Sequence, residues 1–403
     1  MRLIKKILIF LIIIIFIPIF SIADDFNDDE TDYINTLETS YNLDNINLSS
    51  RYCLVLERST NTILFEKNGF EKTPMASTTK IMTAIIALEN SSLDDIVQIS
   101  SKAAHTGGST LGIHSNTQIS MESLLYGLLL RSGNDCAVAI AEHIGGNLEG
   151  FAILMNQKSK ELGLRNTNFV TPHGLDSNNH YTTAYDLAIL TNYALQNNMF
   201  LKIVETKTCT ISIGNNLRTL TNTNELLGYT PGVYGVKTGF TNNAGRCLVS
   251  ACNRDNLDII VVVLGADTKK QRTIDSINLI NYTFENFEMY NLEPFICNTF
   301  NNFINNYSNN ILVTKSTTIP QFTISGINTY FFPIKKMYIK KINSSIYTLK
   351  NLEAPILVNT KIGVIQISVN DESILNLDIL LENNLKRKDF KEYFIQILKT
   401  ISN

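Results

Sequence analysis

The chain has 403 residues, 44% of them apolar and 18% charged, with a formal charge of −3. That length exceeds a typical single core, so two folded domains are expected, and the apolar content excludes a largely disordered protein. The mildly acidic balance gives no reason to expect a nucleic-acid partner.

Arg2, Lys5 and Lys6 precede an almost wholly apolar run from Ile7 to Phe20, and Ser21-Ile22-Ala23 puts small residues at the −3 and −1 positions of a cleavage site. This layout predicts a secretory signal peptide over residues 1–23. The apolar run is shorter than the roughly 20 residues a membrane-spanning helix needs. Read instead as an uncleaved anchor, the segment leads to the same expectation: the remaining chain works outside the cytoplasm. Cleavage removes three basic and no acidic residues, moving the charge from −3 to −6. Residues 24–50, acidic and Asn-rich, read as a linker and first helix.

Tyr52 to Glu57 and Thr62 to Glu66 are short β-type runs around Ser59-Thr60-Asn61, a hairpin pattern. From Ser77 to Leu88 the spacing of Ile81, Ala84, Ile85 and Leu88 predicts a helix. Ser120 is placed to cap a helix over Met121 to Leu130, and Asp135 to Ile144 forms another. Phe151, Leu154, Met155 and Leu162 mark a further helix closed by Gly163. Thr183 with Asp186 resembles a capping box that opens a helix through Leu195. Then Gly235 to Gly239, Arg246 to Cys252 and Asp258 to Leu264 read as three strands, followed by a helix near Arg272 to Phe284. Ile259 to Leu264 is continuously apolar, as a strand covered on both faces would be. Strands at both ends of an α-rich middle predict one α+β domain over residues 51–292 whose sheet closes through its termini.

From about Phe295 helical periodicity fades. Ile311-Leu312-Val313, Tyr338-Ile339, Ile356-Leu357-Val358 and Val364-Ile365-Gln366-Ile367 suggest a small all-β domain over residues 293–382. Residues 383–403 change character again. Phe390, Phe394, Ile397, Leu398 and Ile401 follow helical spacing, with Lys388, Lys391 and Lys399 elsewhere around the wheel. A terminal amphipathic helix with aromatics and lysines suits a membrane interface; the competing reading docks it on its own domain. The six cysteines, Cys53, Cys136, Cys209, Cys247, Cys252 and Cys297, match no metal or redox spacing and read as structural thiols. No cofactor and no metal is called for.

Three short patterns carry chemistry. In Ser77-Thr78-Thr79-Lys80 the serine and lysine share a helix face one turn apart. A serine hydroxyl needs a base within hydrogen-bond reach, and lysine serves only if burial or a neighbouring cation lowers its pKa. A helix beginning at Ser77 also offers free N–H groups to a developing oxyanion. Taken alone, the pattern describes equally a capping serine and a surface lysine. Ser132-Gly133-Asn134 falls between two predicted helices, where a serine can relay protons and an amide can orient a substrate carbonyl and the lysine. Lys237-Thr238-Gly239 occurs once, on the first late strand. Glycine there admits a peptide close to the strand backbone, Lys237 adds positive potential beside Lys80, and Thr238 offers a hydroxyl to a carboxylate. An ordinary edge strand would also carry a lysine.

In this order and context the three patterns form the set described for penicillin-binding proteins and β-lactamases. The chain resembles the low-molecular-mass penicillin-binding proteins that are D-alanyl-D-alanine carboxypeptidases. The resemblance runs over roughly residues 50–290 and includes Pro74-Met75-Ala76, Pro172-His173-Gly174-Leu175-Asp176, Thr182-Thr183-Ala184-Tyr185-Asp186-Leu187 and Gly235-Val236-Lys237-Thr238-Gly239-Phe240-Thr241. It implies a penicillin-binding/β-lactamase-like transpeptidase domain, an antiparallel sheet with helices on both faces, plus the small all-β domain and the terminal helix. It implies a serine-type carboxypeptidase of peptidoglycan stem pentapeptides. Ser77 attacks the penultimate D-alanine carbonyl, Lys80 is the general base and Ser132 relays the proton to the leaving amine. Asn134 positions the substrate amide, Lys237 and Thr238 hold the terminal carboxylate, Gly239 admits the peptide, and the N–H groups of Ser77 and Phe240 form the oxyanion hole. β-Lactam antibiotics would acylate Ser77. The implied location is peripheral, on the extracytoplasmic face of the bacterial cytoplasmic membrane.

The chain departs from its relatives at the arginine they carry near the start of the following strand. Asp258 falls near that place, with Arg246 and Arg272 as substitutes. Three other functions share part of this pattern. A class A β-lactamase needs Glu-x-x-x-Asn, but Glu161 is followed by Arg165 and Glu205 by Cys209. A D,D-endopeptidase uses the same machinery. A non-catalytic penicillin-binding factor would not need Ser77, Lys80 and Lys237 together. His173 reads as a loop residue orienting backbone.

Overall fold

The computed structural model describes residues 46–401, apart from Asn215 and Asn328. The signal segment and the body of the expected first helix lie outside these residues. Two compact units divide the described chain: residues 46–254 with 258–283, and residues 284–401 with 255–257.

In chain order the first unit contains β1 (Tyr52–Glu57), β2 (Ile63–Lys67), α1 (Lys80–Asn90), β3 (Ile96–Gln98), α2 (Ser101–Ala104) and β4 (Gln118–Ser120). Then come α3 (Met121–Leu130), α4 (Asn134–Gly145), α5 (Leu148–Glu161), α6 (Ala184–Ala194) and α7 (Asn198–Glu205). The hairpin β5 (Thr208–Ile213) and β6 (Asn216–Thr221) precedes the strands β7 (Val233–Thr241), β8 (Gly245–Arg254) and β9 (Leu257–Ala266), and α8 (Lys269–Asn286) closes the unit.

The sheet runs β2-β1-β9-β8-β7, so first and last strands meet at its centre, where β1 pairs antiparallel with β9 from Tyr52↔Leu264 to Glu57↔Ile259. Strand alternation explains the continuous apolar run of β9. Ile260, Val262 and Leu264 join the core with α1, α3 and α4. Ile259, Val261 and Val263 are equally buried on the opposite face. Val55 pairs with Phe65, and Phe65 packs edge-on against Tyr282 of α8, so α8 covers that face. Buried on all sides from Lys80 to Ala87, α1 packs against α3, α4 and α6. The anticipated helices follow their caps: Ser120 Oγ accepts from Ser123 N, Thr183 Oγ1 accepts from Asp186 N, and Gly163 adopts a positive φ past α5.

One expectation is corrected at the point that matters most. The α-helix does not begin at Ser77. Residues Ala76–Thr79 form a 3-10 turn ahead of α1, entered through Ala76 at φ +48°. The serine therefore stands on a tight turn, with the lysine opening the helix.

The second unit contains β10 (Phe287–Asn291), α9 (Glu293–Asn310), β11 (Leu312–Thr314), β12 (Phe322–Ser325) and β13 (Phe331–Lys335). It continues through β14 (Ile342–Thr348), β15 (Asn351–Glu353), β16 (Lys361–Val369) and β17 (Glu372–Leu381) to α10 (Phe390–Ile401). Its main sheet is β12-β17-β16-β14, antiparallel throughout. Ile365, Ile367, Leu377 and Ile379 supply its core with Ile296 and Phe303 of α9. That helix contradicts the fading periodicity read after Phe295. Ile296, Phe300, Phe303, Ile304 and Tyr307 do recur at helical spacing, and Pro294 fits the first turn, but abundant asparagine lowers the propensity signal. Two short runs read as strands are not strands. Tyr338-Ile339 lies in a 3-10 turn, and Ile356-Leu357-Val358, between Pro355 and a turn at Asn359, contributes only a bridge from Ile356 to Leu385.

Candidate active site

Ser77, Lys80, Ser132, Asn134 and the Lys237-Thr238-Gly239 strand converge although Ser77 and Gly239 are 162 positions apart in the chain. The serine turn packs against β7. A Cβ added at Gly239 would stand 2.9 Å from Ser77 N and 3.2 Å from Thr78 N, so only glycine lets the strand approach this closely. From the other side, a Cβ at Gly174 would lie 1.9 Å from Ala76 O. The serine turn is thus clamped between β7 and the loop that follows Pro172. Asp176 Oδ1 accepts from Thr241 Oγ1 at 2.6 Å and ties that loop to the end of β7.

Lys80 is fully buried. Its Nζ lies 2.7 Å from Ser77 Oγ, 2.7 Å from Asn134 Oδ1 and 2.9 Å from His173 O. Burial first, and the Lys237 charge second, hold its pKa well below the usual lysine range. A neutral amine has two N–H bonds and one lone pair. Asn134 Oδ1 and His173 O take the two hydrogens, which leaves the lone pair directed at Ser77 Oγ. The geometry and the lowered pKa are the two conditions under which a lysine can accept a serine proton.

Ser132, at φ +63°, joins α3 to α4 and lines the same cleft as Ser77. Asn134 is held by its contact to Lys80 and by donation from Nδ2 to Gly107 O at 2.8 Å, leaving one amide N–H for a substrate. The neighbouring Asp135 accepts from the N–H groups of Leu111, Gly112 and Ile113 and so shapes the loop that brings Ser109 to the cleft. Lys237 is fully buried, and its Nζ donates to Thr238 O.

Several site residues carried no signal in the sequence. Thr223 lines the cleft, and its Oγ1 accepts from Thr238 Oγ1 at 2.8 Å. His180 receives a hydrogen bond from Val170 N at Nδ1, so its Nε2–H faces Thr79 Oγ1 at 2.8 Å, and Thr79 in turn donates to Ala76 O. That chain of bonds props the serine turn from beneath. His173 is buried and its pKa is lowered to about 3, by burial first and then by the Lys80 and His180 charges. Leu175 N donates to its Nδ1, consistent with a histidine that orders backbone.

Neither substitute arginine is among the residues that line the cleft, although Arg246 stacks on one that is. Arg272 is buried in α8 against Glu225, Arg246 lies 3.9 Å over the Phe240 ring, and Asp258 pairs with Arg58 and Tyr234. The cleft is lined by Ser77, Ser109, Ser132, Asn134, Gly174, Leu175, Thr223, Gly239, Phe240 and Thr241, with no carboxylate among them. Among the described residues no cluster of three or more His, Cys, Asp or Glu side chains is placed to hold a metal ion.

A buried lysine beside a serine, a second serine and an adjoining glycine-bearing strand, set on this sheet and helix framework, are the arrangement of the penicillin-recognising fold. Residues 38–268 match the family described as D-alanyl-D-alanine carboxypeptidase, peptidase family S11, and the chain belongs to that family. It is 36% identical over 249 residues to the D-alanyl-D-alanine carboxypeptidase DacF of Bacillus subtilis, a match covering 60% of this chain and 64% of that protein. The chain thus spans just under two thirds of the length of the curated relatives it matches first. Among solved structures, the D-alanyl-D-alanine carboxypeptidase DacD from Francisella tularensis superposes with a TM-score of 0.70 at 27% identity, over 90% of this chain and 99% of that one. Penicillin binding protein 5 from Haemophilus influenzae gives the same TM-score and identity over 85% and 99%. Both likenesses extend past the catalytic unit into the β-rich one.

Proposed function

We propose that the protein is a serine-type D-Ala-D-Ala carboxypeptidase that removes the terminal D-alanine from peptidoglycan stem pentapeptides and is covalently inhibited by β-lactams. The observation that carries the reading is the buried Lys80 amine, 2.7 Å from Ser77 Oγ with both its hydrogens engaged elsewhere. In the proposed sequence Lys80 takes the Ser77 proton as Oγ adds to the penultimate D-alanine carbonyl. The N–H groups of Ser77 and Phe240 receive the oxyanion. Ser132 passes the proton to the departing D-alanine amine, and water then hydrolyses the ester. The remaining N–H of Asn134 holds the substrate amide, while Lys237 and Thr238 provide for its carboxylate.

The D,D-endopeptidase reading uses the same residues, and a non-catalytic penicillin-binding factor would use only some. A deacylating carboxylate of the β-lactamase kind has no counterpart in the cleft lining. Incubating purified protein with a pentapeptide ending in D-Ala-D-Ala, and following free D-alanine, separates these readings. Release by wild type and not by Ser77→Ala is expected. Cleavage of cross-linked dimers alone would replace the reading with the endopeptidase, and labelling by fluorescent penicillin without release would replace it with the binding factor.

Peripheral attachment to the outer face of the cytoplasmic membrane through α10 completes the proposal. Phe390, Phe394, Ile397 and Leu398 are each at least half exposed, and such a face suits a lipid interface. No helix among the described residues is long and apolar enough to cross a membrane. Deleting residues 386–403 should release the protein from membranes. Continued attachment of the truncated form would assign the tether to the N-terminal segment.

A further inference from the structure

Asparagine is common in this chain, 47 of 403 residues, but α9 concentrates it. Seven of that helix's 18 residues are asparagine, and no other helix among the described residues has more than three. Asn298, Asn301, Asn302, Asn305 and Asn306 are all exposed. At 3.6 residues per turn they fill one arc of roughly 140°, opposite the Ile296, Phe300 and Phe303 face that joins the core. Asparagine is a poor helix former, and an ordinary exposed helix face carries charged side chains instead. The only charged residue of α9 is Glu293, in its first turn. Helix stability therefore gives no reason for an uncharged amide face here.

That face borders a groove. β14 is the edge strand of its sheet, and between it and α9 lies a space of about 590 Å³, within the size range of small-ligand sites. Asn298, Thr299 and Asn302 line it from the helix, Ser344 and Thr348 from the strand, and Lys350 just beyond the strand. Phe303 and Ile346 are its apolar members, and none of the described residues lining it is acidic. Thr299 Oγ1 and Ser344 Oγ stand 2.6 Å apart and tie helix to strand, with one of the two hydroxyls keeping its hydrogen for a ligand. Asn302 Nδ2 reaches Asn298 Oδ1 at 3.4 Å, so the two amides are aligned along the helix.

The surrounding sequence is cationic. Between Glu293 and Glu353 there is no Asp or Glu, while Lys315, Lys335, Lys336, Lys340, Lys341 and Lys350 fall in that stretch. A chain with a formal charge of −3 thus carries here a segment of six positive and no negative charges. Such a segment favours a partner bearing acidic groups.

The groove's chemistry narrows the partner further. An amide offers donors and an acceptor on one group, and a hydroxyl also does both. Sugar hydroxyls and acetamido groups need that pairing, whereas a lysine or glutamate supplies one role only. A peptide added to β14 would want apolar pockets for alternate side chains, and a lipid surface would want a broad apolar face. The groove has neither.

We propose that the groove between α9 and β14 binds a chain of N-acetylated amino sugars carrying carboxylates, the glycan that bears the stem peptides. The choice of this polymer rests on the peptidoglycan reading of the catalytic unit. Holding the glycan on the second unit raises the effective concentration of its stem peptides for Ser77.

The test compares the full chain with the double variant Asn298→Ala and Asn302→Ala, in which the stronger helix former leaves α9 intact. Purified glycan strands stripped of their peptides by an amidase are the binding probe. Wild type should be retained on them, and the double variant at least about tenfold more weakly, as the loss of two ligand hydrogen bonds predicts. On glycan carrying pentapeptides the double variant should also show a KM raised at least about fivefold, with kcat/KM on a free pentapeptide unchanged. Failure of wild type to bind peptide-free glycan, or equal retention of both proteins, overturns the proposal. Retention that requires attached peptides overturns it too and assigns the groove to a peptide. Retention lost in the double variant, with no D-alanine released by wild type from either substrate, upholds the groove and rejects the carboxypeptidase reading instead.

Discussion

Lys80 Nζ and Ser77 Oγ stand 2.7 Å apart, and the amine is fully enclosed by protein. Burial makes the cationic form costly, and Lys237 adds like-charge repulsion, so both causes favour a neutral base. A base of this kind fails when protonated, so acylation of Ser77 rises with pH through the Lys80 pKa. Replacing Lys237 with glutamine removes one of the two causes. The Lys80 pKa then rises, and the acid limb of the pH–rate profile moves to higher pH. Measuring fluorescent penicillin acylation across pH for both proteins checks this, and an unmoved limb would exclude Lys237 as a source of the shift. Lys80→Arg, which cannot lose its proton, should acylate at least about 1,000-fold more slowly at every pH.

Gly174 supports the serine turn from the opposite side to Gly239. It sits at φ +87°, and a Cβ there would come within 1.9 Å of Ala76 O and 2.7 Å of Thr79 Oγ1. Backbone oxygen cannot yield as a flexible side chain can, so the turn that carries Ser77 must move. Gly174→Ala is expected to destabilise the protein by at least about 2 kcal/mol. It should also reduce Ser77 acylation at least about 100-fold, because near-attack geometry tolerates little displacement. Thermal melting with penicillin labelling of the folded fraction reads both effects separately.

The residues that meet in the cleft were legible in the sequence because they lie in short contiguous patterns beside regular elements. Ser77 and Lys80 are one turn apart, and the strand bearing Lys237 to Gly239 announced itself by β-type composition. What brings them together was less visible. The 3-10 turn at Ala76–Thr79 depends on the clamp by Gly239 and Gly174 and not on local propensity. Thr223 and His180 act through partners 15 and 101 residues away, and neither sits in a periodic segment. Arg272, a candidate for carboxylate contact by its position in the chain, is turned instead toward Glu225, a pairing that no spacing rule foresees. In the second unit α9 had the apolar spacing of a helix but an asparagine content that argues against one. Its packing on β14 and β16 overrides that propensity.

The Glu225–Arg272 pair is buried on both sides, and Thr273 Oγ1 adds a further bond to the same carboxylate. Removing one member of a buried pair leaves the other charge poorly compensated, at a cost of about 3–5 kcal/mol. Glu225→Ala should show that loss in denaturant unfolding. The double variant Glu225→Ala with Arg272→Met should recover a large part of it, since no charge is then left enclosed. A double variant as unstable as the single one would mean that packing around Arg272, and not its charge, dominates.

His180 joins fold and catalysis through a proton. Its Nδ1 accepts from Val170 N, its Nε2 faces Thr79 Oγ1, and burial lowers its pKa to about 4. A histidine whose folded-state pKa lies below the unfolded value of about 6.5 binds fewer protons folded than unfolded between those two pH values. Stability is then full above about pH 6.5 and declines as pH falls toward 4, by on the order of 3 kcal/mol from this residue. Protonation would put a hydrogen on Nδ1, against the Val170 N–H, and undo the chain that reaches Ala76 beneath the nucleophile. His180→Gln carries no titrating group, so its stability should depend less steeply on pH over that window, while acylation at neutral pH falls because the Thr79 prop is weakened. Urea unfolding from pH 4 to 7.5 for both proteins measures the slope. Parallel slopes would show that the acid sensitivity arises elsewhere, with His173, at about 3, the next residue to substitute.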